Sequence, residues 1–217
     1  MSEYLDLANW SRRELFEFFI GYTNPYFNVC AHVDVTNLVA LVRDRPAVRI
    51  SLALHYFALR IANEIEPFRY RLKDGRVFVY EAVNGGTTVL LPNESFAYAY
   101  FDYQIDFEKF VSDAGSAVDD VRTGSGRLKP TMLDDVIYFT TLPWISFTSF
   151  AHARNSGRGE SIPRIVFGKF TRKNERLMLP ISVEVHHALM DGLHVGRFLT
   201  RLEGALAEPE GFISSRR

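Results

Sequence analysis

Along this chain apolar residues recur at helical spacing in some stretches and alternate in others, with no internal repeat, so the pattern predicts a mixed α and β protein. Leu15, Phe16, Phe18 and Phe19 follow Ser11-Arg12-Arg13-Glu14, which fits a capping box in which the Ser hydroxyl and Glu carboxylate satisfy free backbone donors. A first helix is expected to start there. A strand is expected over Tyr26 to Val35, a short helix over Thr36 to Arg43, and a helix over Val48 to Ile65 that is apolar almost all round and hence buried. His55 inside that helix reads as structural. Phe68 to Leu72 and Arg76 to Val83, joined by Lys73-Asp74-Gly75, predict a hairpin. Thr87 to Leu91 and Ser95 to Tyr103 read as strands, the second rich in aromatics that mostly fill a core. A helix over Asp106 to Arg122 precedes a Gly-rich connection, Gly124 to Pro130, which lacks the Gly-Lys-Ser/Thr ending of a phosphate-binding loop. Ile137 to Thr141, Arg164 to Thr171 and Leu177 to His187 complete the strands, and Asn155 to Gly159 reads as a surface loop.

The last strand runs into His186-His187-Ala188-Leu189-Met190-Asp191-Gly192-Leu193-His194. Upstream, Ile181, Val183 and Val185 form an apolar set and Ser182 and Glu184 a polar one, and extending the alternation puts His186 with the polar set and His187 with the apolar set. A histidine aimed into an apolar environment with a carboxylate close by in sequence can act as a general base near neutral pH. Two adjacent strand histidines point to opposite faces and no HExxH or Cys cluster accompanies them, which disfavours a metal site. Asp191 also fits a helix cap, since Val195, Phe198, Leu199, Leu202 and Leu206 follow at helical spacing. On residue types and spacing alone, catalytic and structural roles both stand.

Composition narrows the class without naming a function. The 217 residues suit one domain, 1–217, and 47% hydrophobic with 24% charged residues is ordinary for a globular protein with a sizeable core. A net charge of -1 gives no electrostatic reason to expect nucleic acid or an anionic membrane surface as partner. Cys30, the single cysteine, cannot form an internal disulfide, and no basic segment followed by an apolar run opens the chain, so cytoplasmic residence is expected. The most apolar long stretch, Ile50 to Ile65, contains His55, Arg60, Asn63 and Glu64 and is too polar to span a membrane.

The stretch HHALMDGLHVGRF resembles the HHxxxDGxHVxR signature of the chloramphenicol acetyltransferase family. Asn9-Trp10-Ser11-Arg12-Arg13-Glu14 is similar to that family's NWxRRE, Leu142 to Phe150 to its PWxxFxSF block, Arg71 to Gly75 to its hairpin, and Gly168-Lys169-Phe170 to its [AG]K[YF]. These landmarks fall in family order from about residue 4 to residue 206. An HxxxDG corner also occurs in dihydrolipoamide acyltransferase cores, but the flanking motifs differ and no lipoyl domain or Ala/Pro-rich linker is present.

The resemblance implies an α/β fold of the α+β two-layer sandwich type, a mixed β-sheet flanked by helices, assembled as a homotrimer with active sites between subunits. It implies acetyl-CoA as cosubstrate, no metal, chloramphenicol or a similar small molecule as acceptor, and no nucleic-acid or membrane partner. His187 would take the acceptor proton, Asp191 would pair with Arg12 to buttress the loop, and Thr140, standing where the family has serine, would donate to the oxyanion. Phe18, Phe19, Phe27, Phe150, His152 and Val166 would line the acceptor pocket, with Lys169 and Trp144 on the CoA side and Trp144 anchored in the core beneath the site. His186 and His194 are expected to be structural, the latter as a cap or packing residue. Besides Thr140, three positions in the acceptor pocket depart from the family: Phe19 replaces a tyrosine, Val166 a threonine and His152 a leucine. These substitutions imply the same acyl-transfer chemistry with an altered acceptor site, so acylation of another hydroxyl or amine, or a weakly active CoA-binding homologue, are the alternatives.

Overall fold

The structure is a computed structural model that describes residues 2–124, 133–154 and 160–215. The chain opens with β1 (Glu3–Tyr4) and α1 (Arg13–Phe19), followed by β2 (Tyr26–Asp34), α2 (Thr36–Arg43) and α3 (Ile50–Asn63). A 3-10 turn (Glu66–Arg69) leads into β3 (Tyr70–Lys73), β4 (Arg76–Val79), β5 (Asn84–Leu90), β6 (Phe96–Phe101) and α4 (Phe107–Thr123). Then come β7 (Val136–Thr141), β8 (Arg164–Phe167), β9 (Thr171–Lys173), β10 (Arg176–His186), α5 (Gly192–Ala207) and α6 (Pro209–Ser214). The main sheet has the order β2-β10-β8-β7-β5-β6, with β9 pairing β10; β7 is parallel to both β5 and β8, and the other pairs are antiparallel. A small sheet, β1-β4-β3, carries the hairpin, whose turn residues Asp74 and Gly75 take φ of 51° and 72° as a two-residue hairpin turn demands. The expected mixed sheet flanked by helices is what forms.

Strand pairing separates the two faces of the main sheet. Ile181, Val183 and Val185 of β10 share a face with Ile165 and Phe167 of β8 and with Phe139 of β7, and all six are buried. Helix α3 packs on that face, almost wholly apolar because it is covered on every side, with His55 against Phe139, Phe101 and Phe167. The opposite face carries Ser182, Glu184 and His186 of β10, Val166 and Arg164 of β8, Thr140 and Tyr138 of β7, and Tyr26 and Asn28 of β2. Ser182, Glu184 and His186 are nevertheless buried; Arg154 and His152 cover Glu184, and Tyr26 packs edge-on against His186.

Several sequence expectations need correction. Helix α1 begins at Arg13, and its first residues make no side-chain cap. The chain enters through a turn in which the Arg13 and Phe16 N–H groups donate to the carbonyls of Trp10 and Arg12, so no capping box forms at Ser11. The strand expected over Arg164 to Thr171 breaks after Phe167. A Cβ on Gly168 would sit 2.7 Å from Pro180, 2.9 Å from the Ile145 carbonyl and 2.9 Å from Phe147, so only glycine admits this close approach. There the Lys169 N–H turns aside to the Ile145 carbonyl at 2.7 Å, and pairing with β10 resumes only at Thr171. Gly124 closes α4 by donating to Asp120 O, while 125–130 and the loop 155–159 lie outside the described residues. Strand β1 and helix α6 had no sequence signal; α6 is fixed by buried Arg60, whose guanidinium donates to the carbonyls of Phe212 and Ser215.

Candidate active site

The signature segment is built by the end of β10. The His187 N–H makes one more cross-strand bond, to Pro25 O at 2.6 Å, and the chain then turns, with the Leu189 and Met190 N–H groups donating to His186 O at 3.0 and 3.1 Å. Asp191 sits in extended backbone and caps α5: its Oδ1 accepts from Leu193 N at 3.0 Å, while His194 Nδ1 accepts from Asp191 N at 3.1 Å. His194 takes the place that Glu or Gln holds in most capping boxes, as expected for a cap.

The His187 ring is sandwiched. It stacks on Phe19 with centroids 3.9 Å apart and planes 11° off parallel, and Phe27 covers it at 4.7 Å. Its Nδ1 lies 3.2 Å from Met190 O. A carbonyl only accepts, so this contact assigns the proton to Nδ1 and leaves Nε2 with a free lone pair, the form a general base needs. Asp191 Oδ2 accepts from Arg12 Nη1, with the two side chains 28% and 13% exposed. Burial opposes the Asp191 charge, but Arg12 and His194 outweigh it and hold the carboxyl below the usual carboxylate range. Trp10 anchors the approach to α1 by packing on Phe16 and Tyr70, which sets Arg12 against the start of α5.

Of the remaining predicted residues, Thr140, Val166, Phe150 and His152 lie apart from His187. Thr140 and Val166 are register neighbours on the opposite sheet face, both level with Ser182. Ser182 precedes His187 by five residues, about 17 Å of strand. One chain therefore does not bring Thr140 to His187. Phe150 and His152 pack edge to face at 4.8 Å, with His152 Nδ1 3.5 Å from Glu184 Oε1. Phe18 projects from α1, 60% exposed, edge-on to Phe19 and near Tyr22. Lys169 is exposed. Trp144 is 62% exposed, which overturns its reading as a core anchor: a tight turn in which the Ile145 N–H donates to Leu142 O carries the indole outward.

Sequence reasoning missed the partners of Glu184. Arg154 donates to Glu184 Oε1 through Nε at 2.7 Å and its guanidinium covers the Tyr26 ring at 3.9 Å. Burial opposes the Glu184 charge, yet His152 and Arg154 hold it ionised, its pKa pushed down to about 2. A buried carboxylate must find a cation. That was the available signal, but Arg154 lies 30 residues away and nothing local identifies it. Among the described residues no cluster of three or more His, Cys, Asp or Glu is placed to hold a metal ion, and no helix is long and apolar enough to cross a membrane.

Comparison with known proteins identifies the family and the fold. A chloramphenicol acetyltransferase from Streptomyces acrimycini is 32% identical over 213 residues, covering 94% of both chains, and chloramphenicol acetyltransferase 3 of Escherichia coli is 29% identical over 201 residues, 91% of this chain and 93% of that one. A solved chloramphenicol acetyltransferase superposes with a TM-score of 0.87 at 27% identity, covering 95% of this chain and all of that one. Azotobacter vinelandii dihydrolipoamide acetyltransferase shares the fold, with a TM-score of 0.69 at 19% identity over 93% of this chain and 90% of that one. The family pattern described as chloramphenicol acetyltransferase matches residues 2–203, and the chain, an acetyltransferase, belongs to that family.

Proposed function

We propose that this enzyme transfers the acetyl group of acetyl-CoA directly to a hydroxyl of chloramphenicol, inactivating the antibiotic, with His187 as general base. The observation that carries this reading is the tied Nδ1 of His187, which leaves Nε2 basic between two phenylalanine rings. In the reaction Nε2 takes the hydroxyl proton as the oxygen attacks the thioester carbonyl. The tetrahedral intermediate then collapses, the C–S bond breaks, and the CoA sulfur leaves with the proton returned from Nε2. Arg12 and Asp191 act on the turn rather than on substrate. Thr140 donates its hydroxyl to the oxyanion.

Because Thr140 is far from His187 of its own chain, the site is completed between subunits of a homotrimer, His187 of one facing Thr140 of the next. Exposed Lys169 supplies a point charge for CoA phosphates, and exposed Trp144 lies on the same segment pair, joined by the bond from Lys169 N to Ile145 O. The protein acts in the cytoplasm, where acetyl-CoA is made. A second reading, acylation of another hydroxyl or amine, is favoured by a specific observation. The sheet face of Thr140 carries buried Val166 and the ionised Glu184 held by His152 and Arg154.

Release of the CoA thiol from acetyl-CoA and chloramphenicol, run beside His187→Ala, tests the proposal. Turnover that vanishes in the variant supports it; turnover equal in both sinks the general-base role. Slow acetyl-CoA hydrolysis alone removes chloramphenicol as acceptor and leaves the second reading to an acceptor screen. Co-expression of His187→Ala with Thr140→Ala tests the shared site, since mixed assemblies regain activity above either parent only if the two residues meet across subunits.

A further inference from the structure

We propose that His186 is a positioning residue that sets the orientation of His187 by holding the turn between them and Asp191. The inference rests on the reading of His187 as general base. His186 ends β10 and is 3% exposed, its ring edge-on to Tyr26 at 5.1 Å and 81°, directly across the strand pair. Its ring Nδ1 and its carbonyl both serve the turn. Nδ1 accepts the N–H of Ala188 at 3.2 Å, and its carbonyl accepts those of Leu189 and Met190 at 3.0 and 3.1 Å. Three successive N–H groups of the turn thus end on one residue.

The consequence reaches His187 through Met190. The Met190 N–H is fixed by His186 O, and the Met190 carbonyl is the partner of His187 Nδ1 at 3.2 Å. If the Ala188 N–H lost its acceptor it would be a buried unpaired donor, since Ala188 is fully buried, and the turn would move to repair it. The Met190 carbonyl would move with it, and His187 would lose the bond that keeps its proton on Nδ1. Acceptance at Nδ1 requires His186 to be neutral with its proton on Nε2. Burial, then the charge of Arg154 and the neighbouring His187, push its pKa down to about 4, so the accepting form prevails at neutral pH. A phenylalanine would pack on Tyr26 as well as this histidine does, so packing alone does not account for the residue.

Three substitutions separate the roles. In His186→Asn the side-chain oxygen can reach the place of Nδ1; in His186→Gln it reaches beyond it, to the place of Nε2; His186→Phe keeps the ring and has no acceptor. Steady-state kinetics with acetyl-CoA and the accepted acyl acceptor should show kcat lower by about ten- to a hundredfold in the Gln and Phe variants, with both KM values within about twofold and the Asn variant near wild type. Nitrogen-15 NMR of the histidine rings should show His187 fixed as the Nδ1–H tautomer in wild type and Asn, and mixed in Gln and Phe. Full kcat and an unchanged His187 tautomer in the Gln variant would overturn the proposal even if the Phe variant does not fold, as would loss of activity in all three in step with melting temperature. Turnover in His187→Ala equal to that of wild type would instead sink the general-base reading, whatever the His186 variants do.

Discussion

Two regions of this molecule place a histidine among phenylalanine rings, with opposite results. In the sheet-facing side of α3, His55 lies against Phe139 at 4.8 Å, Phe101 at 5.8 Å and Phe167 at 6.1 Å, is 2% exposed, and has no partner on either ring nitrogen. Burial alone pushes its pKa down to about 3. At the end of β10, His187 lies between Phe19 and Phe27, but it stays partly open and its Nδ1 meets a carbonyl. Aromatic neighbours are common to both. What suits His187 to the base role proposed for it is a fixed proton on one nitrogen and access to the other, and neither follows from an apolar surrounding.

The sharpest break of the comparison is His187→Ala beside His55→Leu. Replacing His187 should lower kcat by about a thousandfold or more, as loss of a general base does, with circular dichroism and melting temperature near wild type. Replacing His55 should leave kcat within about twofold. Loss of rate in both would mean that the rings and not the carbonyl set the chemistry.

Next in size is Thr140, whose hydroxyl sits on the opposite sheet face. Thr140→Ala should cost about a hundred- to a thousandfold in kcat, and Thr140→Ser should keep most of the rate or raise it, because the added methyl group only narrows the choice of χ1. Equal activity in Ala and Ser variants, measured by thiol release, would remove Thr140 from the oxyanion role.

The pair behind the turn comes third. Asp191→Asn keeps the cap acceptor but removes the charge opposite Arg12, and should lower kcat by about tenfold and stability by about 1–2 kcal/mol. The figure lies below that for a sealed pair because Asp191 is 28% exposed and water screens part of the attraction. Arg12→Leu, which leaves Asp191 beside His194 without its guanidinium, should cost more in urea unfolding than Asp191→Asn. The reverse order would show that the Asp191 charge acts mainly on the start of α5 and on His194, and not through Arg12.

These residues were unevenly legible in the sequence. The alternation from Ile181 to Val185 placed β10, and the HHALMDG stretch located the turn, because both are local patterns of period two followed by a helix start. The two-sided burial of β10 was not legible, since its Ser and Glu positions read as a polar face until the neighbouring strands were known. The break at Gly168 was hidden for the same reason: only the approach of Pro180, Ile145 and Phe147, distant in sequence, demands it. Trp144 misled because tryptophan is usually well buried, whereas here it stands on a tight turn. The separation of Thr140 from His187 depends on strand register, which no motif encodes.

The smallest effect belongs to His55 and appears only in acid. An unfolded chain protonates this histidine near pH 6.5, whereas the folded protein resists until about pH 3. Above pH 6.5 the group is neutral in both states and linkage adds nothing. As pH falls below 6.5 the unfolded state alone gains a proton, so stability drops by up to about 1.4 kcal/mol per pH unit and stops falling near pH 3. His55→Leu removes this term and the two buried ring nitrogens that lack partners, so at pH 7.5 it should be as stable as wild type or more so. Urea unfolding at pH 7.5 and 5.5 checks it: the gap in favour of the variant should widen by about 1.4 kcal/mol between those conditions. A gap that stays constant would mean that His55 finds a way to protonate inside the fold, and the contrast with His187 would then lie in the carbonyl partner alone.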